Sequence, residues 1–175
     1  LFAAVITFLY SAPKIPHPWL RALRKVALGK TIFLAIVWTY VTTILPNVLS
    51  EQPWRNDFTL FAISRFSLVY AICILFDYRD REDDKAAGIR SLITYMDAKG
   101  IKRLFIFSLF VFAAATLALL QYDYNLLTIA LLLVPGIITA GLYNYATRHF
   151  SDMLYYFVLD GLMAISAIIM LVTGI

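Results

Sequence analysis

The sequence predicts an all-α, polytopic transmembrane helix bundle with five full spans and the end of an earlier one. Two observations indicate this class. Of the 175 residues, 62% are hydrophobic and only 15% are charged, whereas soluble domains average about 45–50% apolar and about 25% charged residues. The apolar residues also form runs that approach the ~20 residues a helix needs to cross a ~30 Å hydrocarbon core. The composition therefore excludes a soluble fold with a large core.

Charged boundaries divide the apolar residues into the five predicted spans. A shorter apolar run, 1–9, opens the sequence without an initiator Met, and we expect it to be the end of an earlier span. On this interpretation residues 1–175 form a single transmembrane helical domain, the C-terminal part of a longer protein. The predicted spans cover about residues 30–49, 58–76, 101–120, 125–146 and 153–175.

Basic residues alternate along the connections between these spans. Thirteen of the fifteen Lys and Arg residues lie in or beside the first, third and fifth connections. Connections rich in Lys and Arg stay in the cytoplasm, which predicts a multi-pass protein of the cell or inner membrane with these three connections inside. In a membrane protein the formal net charge of +4 does not indicate nucleic-acid binding, because the positions of the basic residues set the orientation. The bilayer is thus an expected partner, and nucleic acid is not.

The third connection contains the residues best suited to chemistry. Five acids fall within the eight residues 77–84, which we call the acidic segment. Asp77, Asp80 and Asp84 stand at i, i+3 and i+7, so they share one face if the preceding helix continues through the segment. Asp83 is rotated from Asp84 by about 100°. Three carboxylates that converge on one face repel one another unless a cation lies among them.

Oxygen ligands of this kind favour Mg²⁺ or Ca²⁺, and Mg²⁺ typically takes one or two carboxylates, keeps waters and bridges to phosphates. The bases among the acids suit phosphate oxygens, since Arg binds them in a bidentate fashion and Lys as a point charge. Together these residues favour a Mg²⁺-bound diphosphate over a bare ion. The alternative is an ordinary charged loop whose acids and bases pair with each other. The interleaved bases are Arg79, Arg81, Lys85 and Arg90.

The motif-bearing string is Asp77-x-x-Asp80-x-x-x-Asp84 followed by Gly88-Ile89-Arg90-Ser91-Leu92. This string resembles the second aspartate-rich motif of the UbiA superfamily of intramembrane prenyltransferases. Ser91 and Ile93 stand where that motif commonly has Thr and Pro. The family has nine transmembrane helices, and the resemblance implies that the spans here are helices five to nine. The family's first motif, Asn-x-x-x-Asp-x-x-x-Asp, does not occur in the sequence.

The resemblance implies an integral-membrane prenyltransferase that moves a prenyl group from a polyprenyl diphosphate to an aromatic or other lipophilic acceptor. It implies that Asp77, Asp80 and Asp84 are catalytic ligands of a Mg²⁺ cofactor. Metal coordination then stabilises the leaving diphosphate, so that the allylic C–O bond ionises. Lys85 and Arg90 are the predicted diphosphate contacts. The alternative function is a non-catalytic or degenerate polytopic membrane protein with a charged cytoplasmic binding loop.

Arg65 is an isolated cation in the second predicted span. It lies about 12 residues, or roughly 18 Å along a helix, from Asp77. An intramembrane Arg is costly and usually faces a cavity or a partner. Two interpretations stay open. Arg65 is a substrate-binding position in the apolar chamber that the resemblance implies for the isoprenoid tail, or it belongs to a structural ion pair, for which Asp160 in the fifth predicted span is a candidate partner.

Two other classes have weaker support. A CDP-alcohol phosphotransferase requires Asp-Gly-x-x-Ala-Arg, whereas Asp77 is followed by Tyr78. A transporter more often shows broken helices and midplane polar groups in paired halves. Pro135 and Gly136 in the fourth predicted span hint at a broken helix, but they equally predict a kink or a close helix contact.

Overall fold

The computed structural model describes residues 30–51, 53–88 and 91–173. In this part of the chain all regular secondary structure is helical. Four helices are long and apolar enough to cross a membrane, which confirms the first four predicted spans and a multi-pass membrane protein. The apolar run 1–9 lies outside the described residues. The first to fourth spans are Thr31–Leu49, Asn56–Arg79, Ala98–Tyr122 and Leu126–Ala146.

The region of the fifth predicted span is also helical. A π-helical segment, Met153–Leu159, leads directly into the α-helix Asp160–Thr173. The apolar stretch Met153–Ile165 in this region is shorter than each of the four spans. A fifth crossing of the membrane therefore stays a prediction.

The second span is the centre of the bundle. Residues 67–75 are all buried, so this part of the helix is enclosed on every side. A helix that is apolar all round is expected in such a position. It packs mainly against the third span and the first. The second span therefore contacts neighbouring helices along its length.

Hydrogen bonds between the spans show which ends lie together. At one end, the Thr31 hydroxyl at the start of the first span donates to the carboxylate of Asp77. At the other end, the Tyr124 hydroxyl donates to the carboxylate of Asp57 over 3.4 Å. The acidic segment therefore lies beside the start of the first span, and the fourth connection lies beside the second. This arrangement agrees with the alternation of basic connections.

The third and fourth spans approach each other closely at Gly136. An ideal Cβ built on this glycine would lie only 2.1 Å from Cε1 of Phe112. A side chain at this position is therefore excluded unless Phe112 moves. The close helix contact predicted from Pro135 and Gly136 is confirmed.

Candidate functional site

The acidic segment begins in the last turn of the second span and continues into a short helix that follows it. The span ends at Arg79, and a short helix, Arg81–Ala86, follows after Asp80 alone. The amide of Asp80 donates to the carbonyl of Phe76 over 3.1 Å, and the amide of Asp84 donates to the carbonyl of Asp80 over 2.9 Å. The first bond is the last of the second span and the other is the first of the short helix, so the helix is interrupted at Asp80. The condition of one uninterrupted helix is therefore not met, and the burial of each acid shows which of them turn towards the bundle.

The acids of the segment differ in how deeply their side chains are buried. Asp77 is 5% exposed and Asp84 is 7% exposed, whereas Asp83 and Glu82 are exposed. The side chain of Asp80 is 39% exposed. Since neighbouring helical residues differ by about 100°, this pattern means that the face with Asp77 and Asp84 turns towards the bundle. The expected separation of Asp83 from that face is confirmed.

Two ion pairs involve the other acids of the segment. The carboxylate of Asp80 lies 2.7 Å from Nε of Arg79. Nζ of Lys85 lies 2.8 Å from the carboxylate of Glu82, three residues earlier on the same helix. The hydrogen bond from Lys85 holds the pKa of Glu82 below its ordinary value. Part of the segment therefore pairs with itself, as expected for the alternative of an ordinary charged loop.

Arg79 connects the segment to the helix that begins at Met153. Its guanidinium carbon lies 5.4 Å from the ring centroid of Phe76, 4.7 Å from that of Tyr155 and 4.9 Å from that of Tyr156. Arg79 also donates to the Tyr156 hydroxyl over 3.1 Å. Cation–π contacts of this kind stabilise by about 0.5–2 kcal/mol each. Sequence reasoning missed this contact, because its partners are 77 positions apart.

The residues after the segment have local structural roles. Gly88 adopts a φ of +69°, a conformation that L side chains rarely take and that ends the preceding helix. Ser91 caps the helix Leu92–Tyr95 by accepting a hydrogen bond from the Thr94 amide, while the Thr94 side chain accepts one from the Ser91 amide. Helix termination and capping therefore explain these two positions of the motif without a ligand.

The predicted metal ligands fit Mg²⁺ by chemistry. Among the residues described by the structure, no three His, Cys, Asp or Glu side chains lie close enough together to hold a metal. Mg²⁺ needs only one or two carboxylates when water and phosphate oxygens complete its coordination. The carboxylates of Asp77 and Asp84, which are buried, and of Asp80, which is partly exposed, are oxygen donors of the right type. The predicted diphosphate contact Arg90 lies outside the described residues.

Arg65 lies in the middle of the second span and is 6% exposed. Its guanidinium carbon is 5.3 Å from the ring centroid of Phe61 and 5.4 Å from that of Phe112. Nη2 makes one long hydrogen bond of 3.4 Å to the Ser64 hydroxyl. Nε and Nη1 have no hydrogen-bond partner among the described residues. The guanidinium is thus enclosed by rings and only partly satisfied.

The structure does not contain the ion pair between Arg65 and Asp160 that the sequence left open as one interpretation. Asp160 is exposed, and no ion pair between described residues includes Arg65. All eleven acidic residues of the sequence lie in the described ranges. No carboxylate of the sequence therefore pairs with Arg65 in this structure. Asp160 does not, because its side chain lies on the exposed face of its helix.

No family model, no curated protein and no solved structure matches the chain. The class that the observations define is a multi-pass, α-helical membrane protein with four apolar spans. The acidic segment and Arg65 are its two candidate sites, and both lie on the second span or its direct extension.

Proposed function

We propose that the protein is an integral-membrane, Mg²⁺-dependent prenyltransferase that takes a polyprenyl diphosphate and a lipophilic, typically aromatic, acceptor. The observation that carries this proposal is that Asp77 and Asp84, on two successive helices joined at Asp80, are both buried against the bundle. Both lie at the end of the bundle with the third connection, which is rich in Lys and Arg. Carboxylate oxygens are suitable ligands for a Mg²⁺ ion that is also bound to phosphate oxygens.

The residues of the acidic segment have distinct roles in this proposal. Asp77, Asp80 and Asp84 hold the cation through carboxylate oxygens. The Thr31 hydroxyl orients Asp77 by donating to it, in the way that second-shell hydrogen bonds orient metal ligands. When bound, Mg²⁺ stabilises the negative charge of the leaving diphosphate. Arg79 holds Asp80 in place through their 2.7 Å ion pair.

The basic residues provide the proposed substrate contacts. Lys85 and Arg90 bind the diphosphate, and Lys85 must leave Glu82 to do so. The Glu82–Lys85 pair is exposed to solvent, which screens it, so Lys85 can exchange Glu82 for a phosphate oxygen. Arg65, deeper in the same helix, binds substrate from within the apolar chamber. Its two unsatisfied donors support that role.

Calorimetry in nanodiscs tests the proposal without knowledge of the acceptor. The probe is farnesyl thiodiphosphate, an analogue that does not react, titrated into the protein with Mg²⁺ or with EDTA. We expect saturable binding with Mg²⁺ and none with EDTA. Binding that is absent in both conditions, or equal in both, would contradict the proposal.

The second candidate is a non-catalytic polytopic membrane protein with a charged binding loop. The observation in its favour is that Glu82 pairs with Lys85 and Asp80 with Arg79 inside the segment. On this candidate the pairs are permanent and the segment binds neither the cation nor the analogue. The same titration therefore separates the two functions.

A further inference from the structure

A groove with a cavity volume of about 410 Å³ lies between the third and fourth spans. It is close to the end of the bundle that carries the third connection, because Lys102 belongs to its lining. Apart from a polar end, the lining is hydrophobic. The apolar lining residues are Phe105, Ile106, Leu109, Phe110 and Ala140.

The groove runs from the membrane surface into the hydrocarbon region. Lys102 and Leu109 are separated by seven residues, or about 10 Å along the third span. Ile106 is 53% exposed and Phe110 is 68% exposed, so the apolar wall is open to the surrounding lipid. The dimensions and the lining thus suit a hydrocarbon chain whose polar head stays at the surface.

Polar groups gather only at the surface end of the groove, where Lys102, Tyr143 and Asn144 line it. The ammonium of Lys102 lies 5.9 Å from the ring centroid of Tyr143, and that ring packs on Phe105 with a centroid distance of 4.7 Å. Lys102 forms no ion pair with any described residue, in contrast to Lys85. An ammonium, a phenol and an amide are all donors suited to phosphate oxygens.

We propose that this groove binds one anionic phospholipid from the adjoining leaflet. The lipid phosphate accepts hydrogen bonds from Lys102, Tyr143 and Asn144, and one acyl chain lies along the apolar wall. Charge complementarity selects an anionic head, since basic pockets between transmembrane helices attract such lipids on the cytoplasmic side. The proposal does not depend on prenyl transfer, because none of these residues belongs to the acidic segment.

Native mass spectrometry tests the head-group contact. The protein is titrated with phosphatidylglycerol or phosphatidylcholine of identical acyl chains, and the first lipid-binding constant is measured. We expect the wild type to prefer phosphatidylglycerol about fivefold, the contribution of one basic residue near the membrane surface. Lys102→Gln should abolish this preference. Arg103→Gln is the matched control, because it removes one exposed charge at the next residue, outside the groove lining.

A second pair of variants tests the acyl-chain contact. Ala140→Phe fills the groove and should lower binding of both lipids, while Gly141→Phe adds the same ring where an added Cβ meets nothing within 4 Å. Circular dichroism checks that each variant is helical. Three outcomes would each overturn the proposal: equal binding of the two lipids to the wild type, equal loss of preference in Lys102→Gln and Arg103→Gln, or unchanged binding by a folded Ala140→Phe variant.

Discussion

Arg65 lies in the middle of the second span, and the acidic segment begins at the end of that span. The two regions differ in how their charged side chains are paired. In the acidic segment, acids and bases are neighbours, and Asp80 pairs with Arg79 at 2.7 Å. In the middle of the second span, Arg65 is enclosed by the rings of Phe61 and Phe112. Two of its donor nitrogens have no partner among the described residues. One region thus pairs part of its charge, and the other leaves a cation partly unsatisfied.

This difference determines what each region does when a ligand arrives. Exposed ion pairs contribute only about 0–1 kcal/mol, so the acidic segment exchanges its own bases for a ligand at little cost. A buried donor without a partner destabilises the folded state by about 1–3 kcal/mol. Binding of an anion or another acceptor at Arg65 removes this cost and is therefore favourable. The acidic segment is therefore suited to reversible exchange, and Arg65 is suited to binding a group that the bundle itself lacks.

The largest effect is expected from Asp77→Asn and Asp84→Asn. Each change removes a buried negative charge from the face proposed to hold Mg²⁺, and each should lower Mg²⁺-dependent binding of farnesyl thiodiphosphate by about 100-fold or more. Asn at position 77 keeps an acceptor for the Thr31 hydroxyl, so the helix contact is retained. Calorimetry in nanodiscs measures the affinities.

Asp83→Asn is the matched control for these two variants. It removes the same charge from the same segment, but its side chain is exposed and lies off the shared face. We expect it to bind the analogue as the wild type does. An equal loss in all three variants would mean that only the total charge of the segment matters, which contradicts the proposed metal face.

The next effect concerns the packing around Arg65. Gly136→Ala places a Cβ 2.1 Å from the Phe112 ring, which must then move, and this ring also contacts Arg65. Overpacking of this kind costs about 1–3 kcal/mol. Gly141→Ala is the control, because its Cβ would meet nothing within 4 Å and alanine favours a helix interior by about 0.5–1 kcal/mol. Unfolding in sodium dodecyl sulfate measures both changes, and equal free energies of unfolding would contradict the contact.

A smaller effect, opposite in sign, is expected from Arg65→Met. The change removes two unsatisfied donors and some cation–π attraction, so the free energy of unfolding should rise by about 1 kcal/mol. Binding of the isoprenoid analogue should weaken in the same variant if Arg65 contacts substrate. A loss of about 3–5 kcal/mol in stability would instead indicate that a buried ion pair had been broken.

Hydropathy predicted the spans because every residue in the hydrocarbon region is constrained by the same solvent. It placed their ends less well. The second span was predicted over 58–76 and extends over Asn56–Arg79. Its ends carry the charged residues Asp57 and Arg79, which lower the local hydropathy although the backbone remains helical.

The candidate site could be predicted only where one helix determines the geometry. Helical periodicity placed Asp77 and Asp84 on one face and Asp83 off it, and burial agrees. The Thr31 contact was not predicted, because 46 positions separate Thr31 from Asp77 and only packing brings them together. The surroundings of Arg65 stayed open for the same reason: opposite charge made Asp160 a candidate partner, but no pattern within one helix shows which face of another helix it meets.

The smallest effect is a pKa change that tests whether Lys85 exchanges partners. Lys85 holds the pKa of Glu82 below its ordinary value, so this pair stabilises the short helix above the ordinary glutamate range and loses its effect as the pH falls. Glutamate-selective ¹³C NMR resolves it, since the sequence has only Glu51 and Glu82, and Lys85→Gln should return the Glu82 pKa towards its ordinary value. If Lys85 binds diphosphate, saturating Mg²⁺ and farnesyl thiodiphosphate should raise the Glu82 pKa in the wild type as well. A pKa that stays low in the bound state would show that Lys85 keeps its pair with Glu82, and would remove it from the proposed substrate contacts.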